Sequence, residues 1–156
     1  MPRFAAMRSV PYSVEQIFGI AGDVGEYKAF LPLVKRSVIT NVISHPDGTR
    51  SFIADLHFAF PKLGISDTLR SSVIVDPAAC TVRATANEGP VKSLVAEWKI
   101  RARGQGGSDI QFTVDYTLKS RSLQFLLSGM FDFVVRRIMT AFEERARQLY
   151  GAPAAA

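Results

Sequence analysis

The segment SLQFLLSGMFDFVVRRIM, residues 122–139, is the longest mostly apolar run in the chain, and it governs how the other elements must pack. Its polar residues up to Arg136 recur at every fourth position, as on one row of an α-helix. Each residue advances about 100°, so this row drifts by about 40° per step and sweeps about 120°. The remaining arc is apolar and wider than packing on one neighbouring sheet requires. The row consists of Gln124, Ser128, Asp132 and Arg136.

Three arrangements can cover this surplus apolar surface. Two short helices predicted near the start of the chain can pack on it, a membrane or partner can contact it, or it can form the wall and mouth of a cavity for an apolar ligand. Leaving about 200 Å² of such surface in water forgoes roughly 5 kcal/mol at about 25 cal/mol per Å². Something is therefore expected to cover it.

The second half of the same helix has an ordinary pattern. From Ile138 onwards the apolar residues share one face and are predicted to pack as core. On the opposite face, Glu143 and Glu144 stand three or four positions before Arg147, which predicts surface ion pairs. The helix is predicted to span about Ser122 to Tyr150 and to end at Gly151.

Length and composition describe one globular domain. The chain has 156 residues, of which 47% are hydrophobic and 21% charged, enough for a substantial core. We expect a single domain over residues 1–151 and a disordered tail over residues 152–156. Cys80 is the only cysteine and cannot form an internal disulfide. It is expected to be a small buried hydrophobe in a protein of a reducing compartment.

The opening residues and the charge bear on location and partners. The start MPRFAAMRSVPYS has no continuous apolar run typical of a secretory signal, so export is not expected. The run within 123–135 is shorter than the roughly 20 residues that a bilayer crossing needs. The net charge of +5 and pI near 9.7 favour anionic surfaces, either nucleic acid or acidic lipid headgroups. A cytoplasmic protein, at most peripheral on the inner face of the cell membrane, is expected.

Apolar periodicity predicts an α+β order of one strand, two short helices, about six strands and one long helix. Ser13 with Gln16 forms a capping-box pattern for the first short helix, and Asp23 with Glu26 repeats it for the second. The second helix is expected to end before Pro32. Strands are predicted at 3–10, 33–45, 51–60, 66–76, 81–86, 93–101 and 109–118.

Strict alternation in several of these strands places large apolar side chains on one face. Such segregated strands and helices favour helices packed on one face of a twisted antiparallel sheet. A sheet of this length curls around the long helix, and a space is expected between them. That space is bounded by Phe58, Phe60, Trp98, Phe112, Tyr116 and Phe131.

Three sequence blocks carry a family resemblance: YKAFLP at 27–32, GPVKSLVAEWKI at 89–100 and MTAFEERARQLYG at 139–151. Over about residues 3–150 the chain resembles the coenzyme Q-binding branch of the START-like (polyketide cyclase/dehydrase, helix-grip) superfamily. Bacterial members of that branch include proteins described as ribosome-association toxins. The chain departs from the family at Leu33 and Val34, where a tryptophan and a cysteine are usual, and at Val91, usually phenylalanine.

The resemblance implies a helix-grip fold, in which an antiparallel sheet of about six to seven strands wraps around a long C-terminal helix. It also implies a deep apolar cavity that binds ubiquinone or a similar lipid and supports its use in respiration. By position, an entrance is implied at Tyr27, Phe30 and Pro32, and a groove along Trp98, Phe131 and Val135. Contact with an acidic membrane is expected through Lys28, Lys35 and Arg36 beside Leu31.

Two other functions remain open at this point. The resemblance to the toxin branch implies the ribosome as an alternative partner, with binding that blocks subunit association. A polyketide cyclase-like activity would need a polar residue deep in the cavity, where Tyr116 is the main candidate. DNA is not an expected partner, and no cofactor is required beyond the quinone as a bound ligand.

No catalytic or metal-binding constellation is predicted. His45 lies in a turn and His57 on the more polar face of its strand, so both are expected to be surface residues. Cys80 has no neighbouring base in the sequence. The turn GQGGSD lacks the strand-to-helix context of a phosphate-binding loop. The chain is therefore expected not to be an enzyme.

Overall fold

The computed structural model describes residues 3–61, 64–104 and 106–152. Seven strands form one antiparallel sheet in the order β1-β7-β6-β5-β4-β3-β2. The predicted disordered tail lies outside the described residues except for Ala152. The elements are β1 Arg3–Val10, α1 Val14–Gly22, a 3-10 helix Val24–Ala29, β2 Val34–Ser44, β3 Arg50–Phe60, β4 Ile65–Asp76, β5 Thr81–Ala86, β6 Val91–Arg103, β7 Gly107–Leu118 and α2 Arg121–Tyr150.

The first short helix begins as predicted, while the second differs. The Ser13 hydroxyl accepts a hydrogen bond from the backbone N–H of Gln16, and the Gln16 side chain accepts one from the Ser13 N–H, which completes the capping box of α1. The second helix is a 3-10 helix, and the predicted cap at Asp23 is wrong. Asp23 already ends α1, and its backbone at φ −91° and ψ 65° does not have the extended geometry of an N-cap.

Strands β2 to β7 form a meander, in which each strand pairs with the next one in the chain. β1 pairs with β7 and is therefore the edge strand opposite β2. The β2–β3 turn is held by Asp47, whose carboxylate accepts hydrogen bonds from the N–H and the hydroxyl of Thr49 at 3.0 and 2.7 Å. β2 is an edge strand with a register shift between Thr40 and Ile43, where Asn41 has a φ of 56°. This bulge locally increases the twist of the edge.

Both α-helices pack on one face of the sheet, and α1 contacts the second half of α2. The Tyr150 hydroxyl donates to the carbonyl of Gln16 at 3.4 Å, and the Tyr12 hydroxyl donates to that of Gly151 at 3.0 Å. The Gly151 φ of 77° ends α2 in a conformation that favours glycine. The predicted α+β order, with an antiparallel sheet and a long C-terminal helix, is confirmed.

An aromatic cluster fills the space beneath the second half of α2. Phe142 is fully buried and stacks on Trp98 with 4.5 Å between ring centroids. Trp98 also contacts Phe112, with centroids 4.4 Å apart. Tyr27 and Phe30 approach Phe142 edge-on at 6.2 and 5.4 Å. This half of the helix is packed as the sequence predicts, except at Leu149, which was predicted to lie on the core face but is exposed near the end of the helix.

The ion pair of Glu143 and the burial of Cys80 both differ from the predictions. Glu143 is half-buried and pairs with Arg8 of β1 at 3.7 Å, and the pair predicted with Arg147 is not among the ion pairs of the described residues. Cys80 is half-buried rather than buried. It occupies the β4–β5 turn with a φ of 52°, and its thiol donates to the carbonyl of Pro77 at 3.4 Å.

Candidate functional site

A cavity of about 290 Å³ lies between the first half of α2 and the sheet. The end of β3, the start of β4, the start of β6 and the end of β7 all meet the first turns of α2 at this side of the molecule. The lining residues are Leu33, Phe58, Phe60, Ile65, Asp67, Leu69, Pro90, Val91, Leu94, Phe112, Val114, Tyr116, Leu118, Leu123, Leu126, Leu127, Phe131, Val134, Val135 and Ile138.

The cavity lining is almost wholly apolar. Among the described lining residues, Asp67 carries the single charge, and it is exposed to solvent. Tyr116 is buried and supplies the other polar side chain. Such a cavity makes few polar demands on a ligand and selects for branched or aromatic hydrocarbon.

Tyr116 is held by the polar row of α2. Its hydroxyl lies 3.2 Å from the hydroxyl of Ser128, and either oxygen can donate. Gln124, one turn earlier, accepts a hydrogen bond from the backbone N–H of Leu118 at 2.6 Å and donates to the carbonyl of Tyr116 at 3.4 Å. The row predicted from sequence therefore starts against the sheet at Gln124 and turns outwards to the exposed Asp132 and Arg136.

The surplus apolar surface of α2 is divided between the cavity and solvent. Phe131 and Val135 face the cavity, whereas Phe125 is 84% exposed and Phe133 is 58% exposed. Leu126 does both, because it lines the cavity and is 39% exposed. The alternative in which the two short helices cover this surface is wrong, since both pack on the second half of α2. The first helix lies beside Tyr150, and Tyr27 of the 3-10 helix contacts Phe142.

Ten residues were predicted to contact a ligand, and the structure brings six of them together around the cavity. Trp98 lies instead within the aromatic cluster of the core. Tyr27 was expected at an entrance but is buried, and its hydroxyl donates to the carbonyl of Ala21. Burial, with a smaller contribution from the charge of Asp23, raises the pKa of Tyr27 above its ordinary value. The six lining residues are Phe58, Phe60, Phe112, Tyr116, Phe131 and Val135.

Phe30 and Pro32 lie beside a separate surface groove rather than at the cavity. The opposite side of this groove comes from the outer surface of α2 and includes Phe133, Arg136 and Arg137. Thr140, Ala141 and Glu144 complete the groove.

The membrane contact predicted at residues 28–36 is only partly present, because its cations are exposed but its apolar residue is not. Lys28, Lys35 and Arg36 are exposed, as a contact with headgroups requires. Leu31 is buried in the core and is not available to enter a bilayer. The backbone N–H of Leu31 bonds to the carbonyl of Tyr27, which turns this segment inwards.

Several lining residues were not predicted from the sequence. Leu94 and Leu118 share strand parity with Trp98 and Tyr116, so the alternation rule already places them on the inward face. Leu123, Leu127 and Val134 belong to the apolar arc of α2 that the sequence left unassigned. Leu33 and Val91, two positions at which the chain departs from the family, also line the cavity. Leu69 had no comparable signal, because its inclusion depends on how β4 approaches the helix.

Neither a metal site nor a membrane-spanning helix is found in the described ranges. Residues 3–61, 64–104 and 106–152 contain no group of three or more His, Cys, Asp or Glu side chains arranged to hold a metal ion. In the same ranges, no helical segment combines the length and the apolar character that a membrane crossing demands.

The sheet has seven antiparallel strands and packs around a long C-terminal helix, with an apolar cavity between sheet and helix. This arrangement defines the helix-grip fold. A sequence profile described as polyketide cyclase / dehydrase and lipid transport matches residues 10–143. The chain belongs to this START-like family, and the resemblance predicted from its three sequence blocks is confirmed.

Relatives and a solved structure agree with this assignment at low identity. The chain is 26% identical to the ribosome association toxin RatA of Escherichia coli (strain K12) over 154 residues, 97% of this chain and 91% of the relative. It is 27% identical to the mitochondrial coenzyme Q-binding protein coq10 of Schizosaccharomyces pombe over 92% of this chain and 86% of that protein. The solution structure of an 18 kDa protein from Caulobacter crescentus matches with a TM-score of 0.82 at 25% identity, over 97% of this chain and all of the other.

Proposed function

We propose that this protein binds an isoprenoid quinone such as ubiquinone, or a lipid of the same character, in the α2 cavity and holds it for use in respiratory electron transport. The observation that carries the proposal is the cavity of about 290 Å³, whose lining is apolar apart from Tyr116 and the rim residue Asp67. The similarity to a coenzyme Q-binding protein over most of both chains supports the choice of a quinone.

The size of the cavity limits how much of the ligand it can enclose. Ligand pockets in proteins span about 300 to 1,000 Å³, so this one is at the small end. A quinone ring with the first part of its tail is therefore the portion held inside. The rest of a long prenyl tail would leave beside Leu126, where the lining reaches solvent.

The pair of hydroxyls at Tyr116 and Ser128 suits the polar part of a quinone. A quinone carbonyl accepts hydrogen bonds but cannot donate one. If Ser128 donates to the Tyr116 oxygen, which is 3.2 Å away, the Tyr116 proton is free to point at a ligand carbonyl. A hydrocarbon ligand would gain nothing from this arrangement, so it favours a ligand that carries an oxygen acceptor.

The test is to extract protein purified from a quinone-rich host with organic solvent and to identify the extracted lipids by mass spectrometry. We expect a prenyl quinone in amounts approaching one per chain. The double variant Leu94→Trp/Leu127→Trp fills the cavity from both walls and should lose the lipid while keeping its circular dichroism spectrum. The control variant Leu149→Trp places a tryptophan at an exposed position of α2, the helix that also carries Leu127, and should retain the lipid. Repeated absence of any prenyl lipid from wild-type protein would refute the proposal.

A ribosome-directed activity is the second candidate, favoured by the similarity to RatA over 97% of this chain. The net charge of +5 suits an RNA surface as well as a lipid one. Sucrose-gradient profiles of ribosomes during overexpression test it. A loss of assembled ribosomes that is reversed by added salt would support this activity, and an unchanged profile would reject it.

We propose a binding role rather than catalysis. Cyclases of the wider family shape a polyketide within the cavity, and such an activity would require Tyr116 to take part in proton transfer. Incubation with a linear polyketide thioester, with Tyr116→Phe as the comparison, tests this. Product formed by wild-type protein and not by the variant would establish an enzyme.

A further inference from the structure

An apolar face on the outside of α2 is left largely uncovered by the described residues. It is formed by Phe125, Leu126, Gly129 and Phe133, and we refer to it as the Phe125–Phe133 face. Phe125 is 84% exposed and Phe133 is 58% exposed. Large aromatic side chains this exposed, about two turns apart and on one side of a helix, mark a surface that meets something apolar.

Positive charges stand at both ends of this face. Arg121 precedes the face, and Arg136 and Arg137 follow it. At about 1.5 Å per residue, Arg136 lies about 22 Å from Arg121 along the helix axis. None of these three arginines takes part in an ion pair within the described ranges. The Arg137 guanidinium lies 5.8 Å from the centre of the Phe133 ring. The single acidic residue of this half is Asp132, at the edge of the face.

The Phe125–Phe133 face is continuous with the cavity. Leu126 belongs to both, because its side chain lines the cavity and is also exposed. Phe133 borders the groove that holds Phe30 and Pro32 on the other side. An object that covers this face would therefore also cover the place where the cavity lining reaches solvent.

We infer that the Phe125–Phe133 face docks on an acidic phospholipid bilayer, with the helix lying parallel to the surface. Phe125 and Phe133 enter the boundary between headgroups and acyl chains, and the flanking arginines meet lipid phosphates. Docking in this orientation opens the cavity towards the bilayer, so an oily ligand passes between them without crossing water. This last step rests on the proposed function, whereas docking itself does not.

The chemistry of the face favours a lipid surface over a protein groove. A protein partner would place shaped pockets and matching acidic groups against Phe125 and Phe133, whereas a bilayer needs only aromatic insertion with cations at the rim. The arginines outnumber the single aspartate in this half, which fits a surface of negative headgroups. This face differs from residues 28–36 in its apolar part. There the cations are exposed but Leu31 is buried, so that segment has no leucine side chain to insert into a bilayer.

The test is sedimentation of the full chain with vesicles of phosphatidylcholine, prepared with and without phosphatidylglycerol. We expect binding to the acidic vesicles that weakens with added salt. Phe125→Ser/Phe133→Ser should abolish it. Arg136→Gln/Arg137→Gln should lower the partition coefficient about 30-fold, since each cation near an acidic surface contributes a factor of about five.

Two matched controls show whether binding to vesicles belongs to this face. Val42→Ser/Ile43→Ser removes apolar residues that are 52% and 54% exposed on β2 and should bind vesicles like wild type. The cavity variant Leu94→Trp/Leu127→Trp should also still bind vesicles. If it does so while its copurified lipid is lost, docking stands independently of the cavity.

Three results would overturn the proposal. The first is no sedimentation of wild-type protein with acidic vesicles, and the second is unchanged binding by the phenylalanine variant. The third is a dimer of wild-type protein in solution that Phe125→Ser/Phe133→Ser converts to a monomer, because a second copy would then cover the face. If docking fails but a prenyl lipid still copurifies with wild-type protein, the cavity proposal is unaffected.

Discussion

The two halves of α2 belong to one continuous helix, yet they meet the sheet differently. The second half packs directly on Trp98 and Tyr27 through its fully buried Phe142. The first half is held by hydrogen bonds from Gln124 and Ser128, encloses a cavity of about 290 Å³ and exposes Phe125. The second half has the packing of a core, while the first half leaves a space and an uncovered surface.

This difference separates the residues that stabilise the fold from those available for function. Aromatic contacts around Phe142 can anchor the helix without help from the first half. The first half can then enclose a cavity. The cavity lowers the free energy of unfolding, and the packing around Phe142 offsets this loss. The two halves should therefore respond differently to the same kind of change.

Phe142→Ala should have the largest effect, lowering the free energy of unfolding by about 3 to 5 kcal/mol, because it removes a fully buried ring and leaves a cavity. Phe131→Ala should lower it by only about 2 kcal/mol, since this ring already borders empty space on one side and packs on Phe4 on the other. Urea unfolding of lipid-free protein measures both. Equal losses would mean that the first half is packed like the second.

Tyr27 makes the packed half sensitive to alkaline pH. Burial raises its pKa above the value of about 10 that it has in the unfolded chain. The folded state therefore keeps the proton longer, and stability is full below pH 10 and falls as the pH rises above it. At about pH 11 the loss should be about 1 kcal/mol. Urea unfolding at pH 9 and pH 11 measures it.

The control for this pH effect is Tyr27→Phe. The variant should unfold more readily at pH 9, because it lacks the hydrogen bond to Ala21, and its stability should fall less between the two pH values. An identical fall in wild type and variant would assign the alkaline loss to other groups.

Gly129→Ala should have the smallest effect, a gain in stability of roughly 0.5 to 1 kcal/mol. Gly129 is exposed within the first half of α2, and a Cβ added there would meet no atom within 4 Å. Gly107 provides the comparison, because a Cβ there would lie 2.9 Å from the backbone oxygen of Arg103, so Gly107→Ala should lower stability instead. Thermal unfolding measures both, and a loss at Gly129 would indicate that this half of the helix must bend.

Much of the fold could be predicted from local rules. Alternation of apolar residues located the strands, and the capping box at Ser13 located α1. The end of α2 at Gly151 was also predicted correctly. The 3-10 geometry after Asp23 could not be predicted, since the same residues suit a capped α-helix and only the end of α1 fixes the Asp23 backbone.

The site was less predictable, because it depends on which side of a helix meets the sheet. A row at every fourth position drifts around the helix, so the same row contains the inward Gln124 and the outward Arg136. The sequence marks these residues as polar but does not give the angle at which α2 docks. The burial of Leu31 and Tyr27 could not be predicted for the same reason. An apolar residue with charged neighbours in the sequence can face either the core or the surface. The sequence predicted a space between the sheet and the helix, but the full set of lining residues depends on the docking angle of α2 and could not be predicted.

The strand order also determines the sequence in which the protein can assemble. β2 to β7 pair with their neighbours in the chain, so this meander can form by local hairpins. β1 is synthesised first but pairs with β7, Arg3 opposite Asp115 and Val10 opposite Ser108. We therefore expect β1 to join the sheet late, after a long loop closes, and amide protons of β1 to become protected last in pulsed hydrogen exchange during refolding.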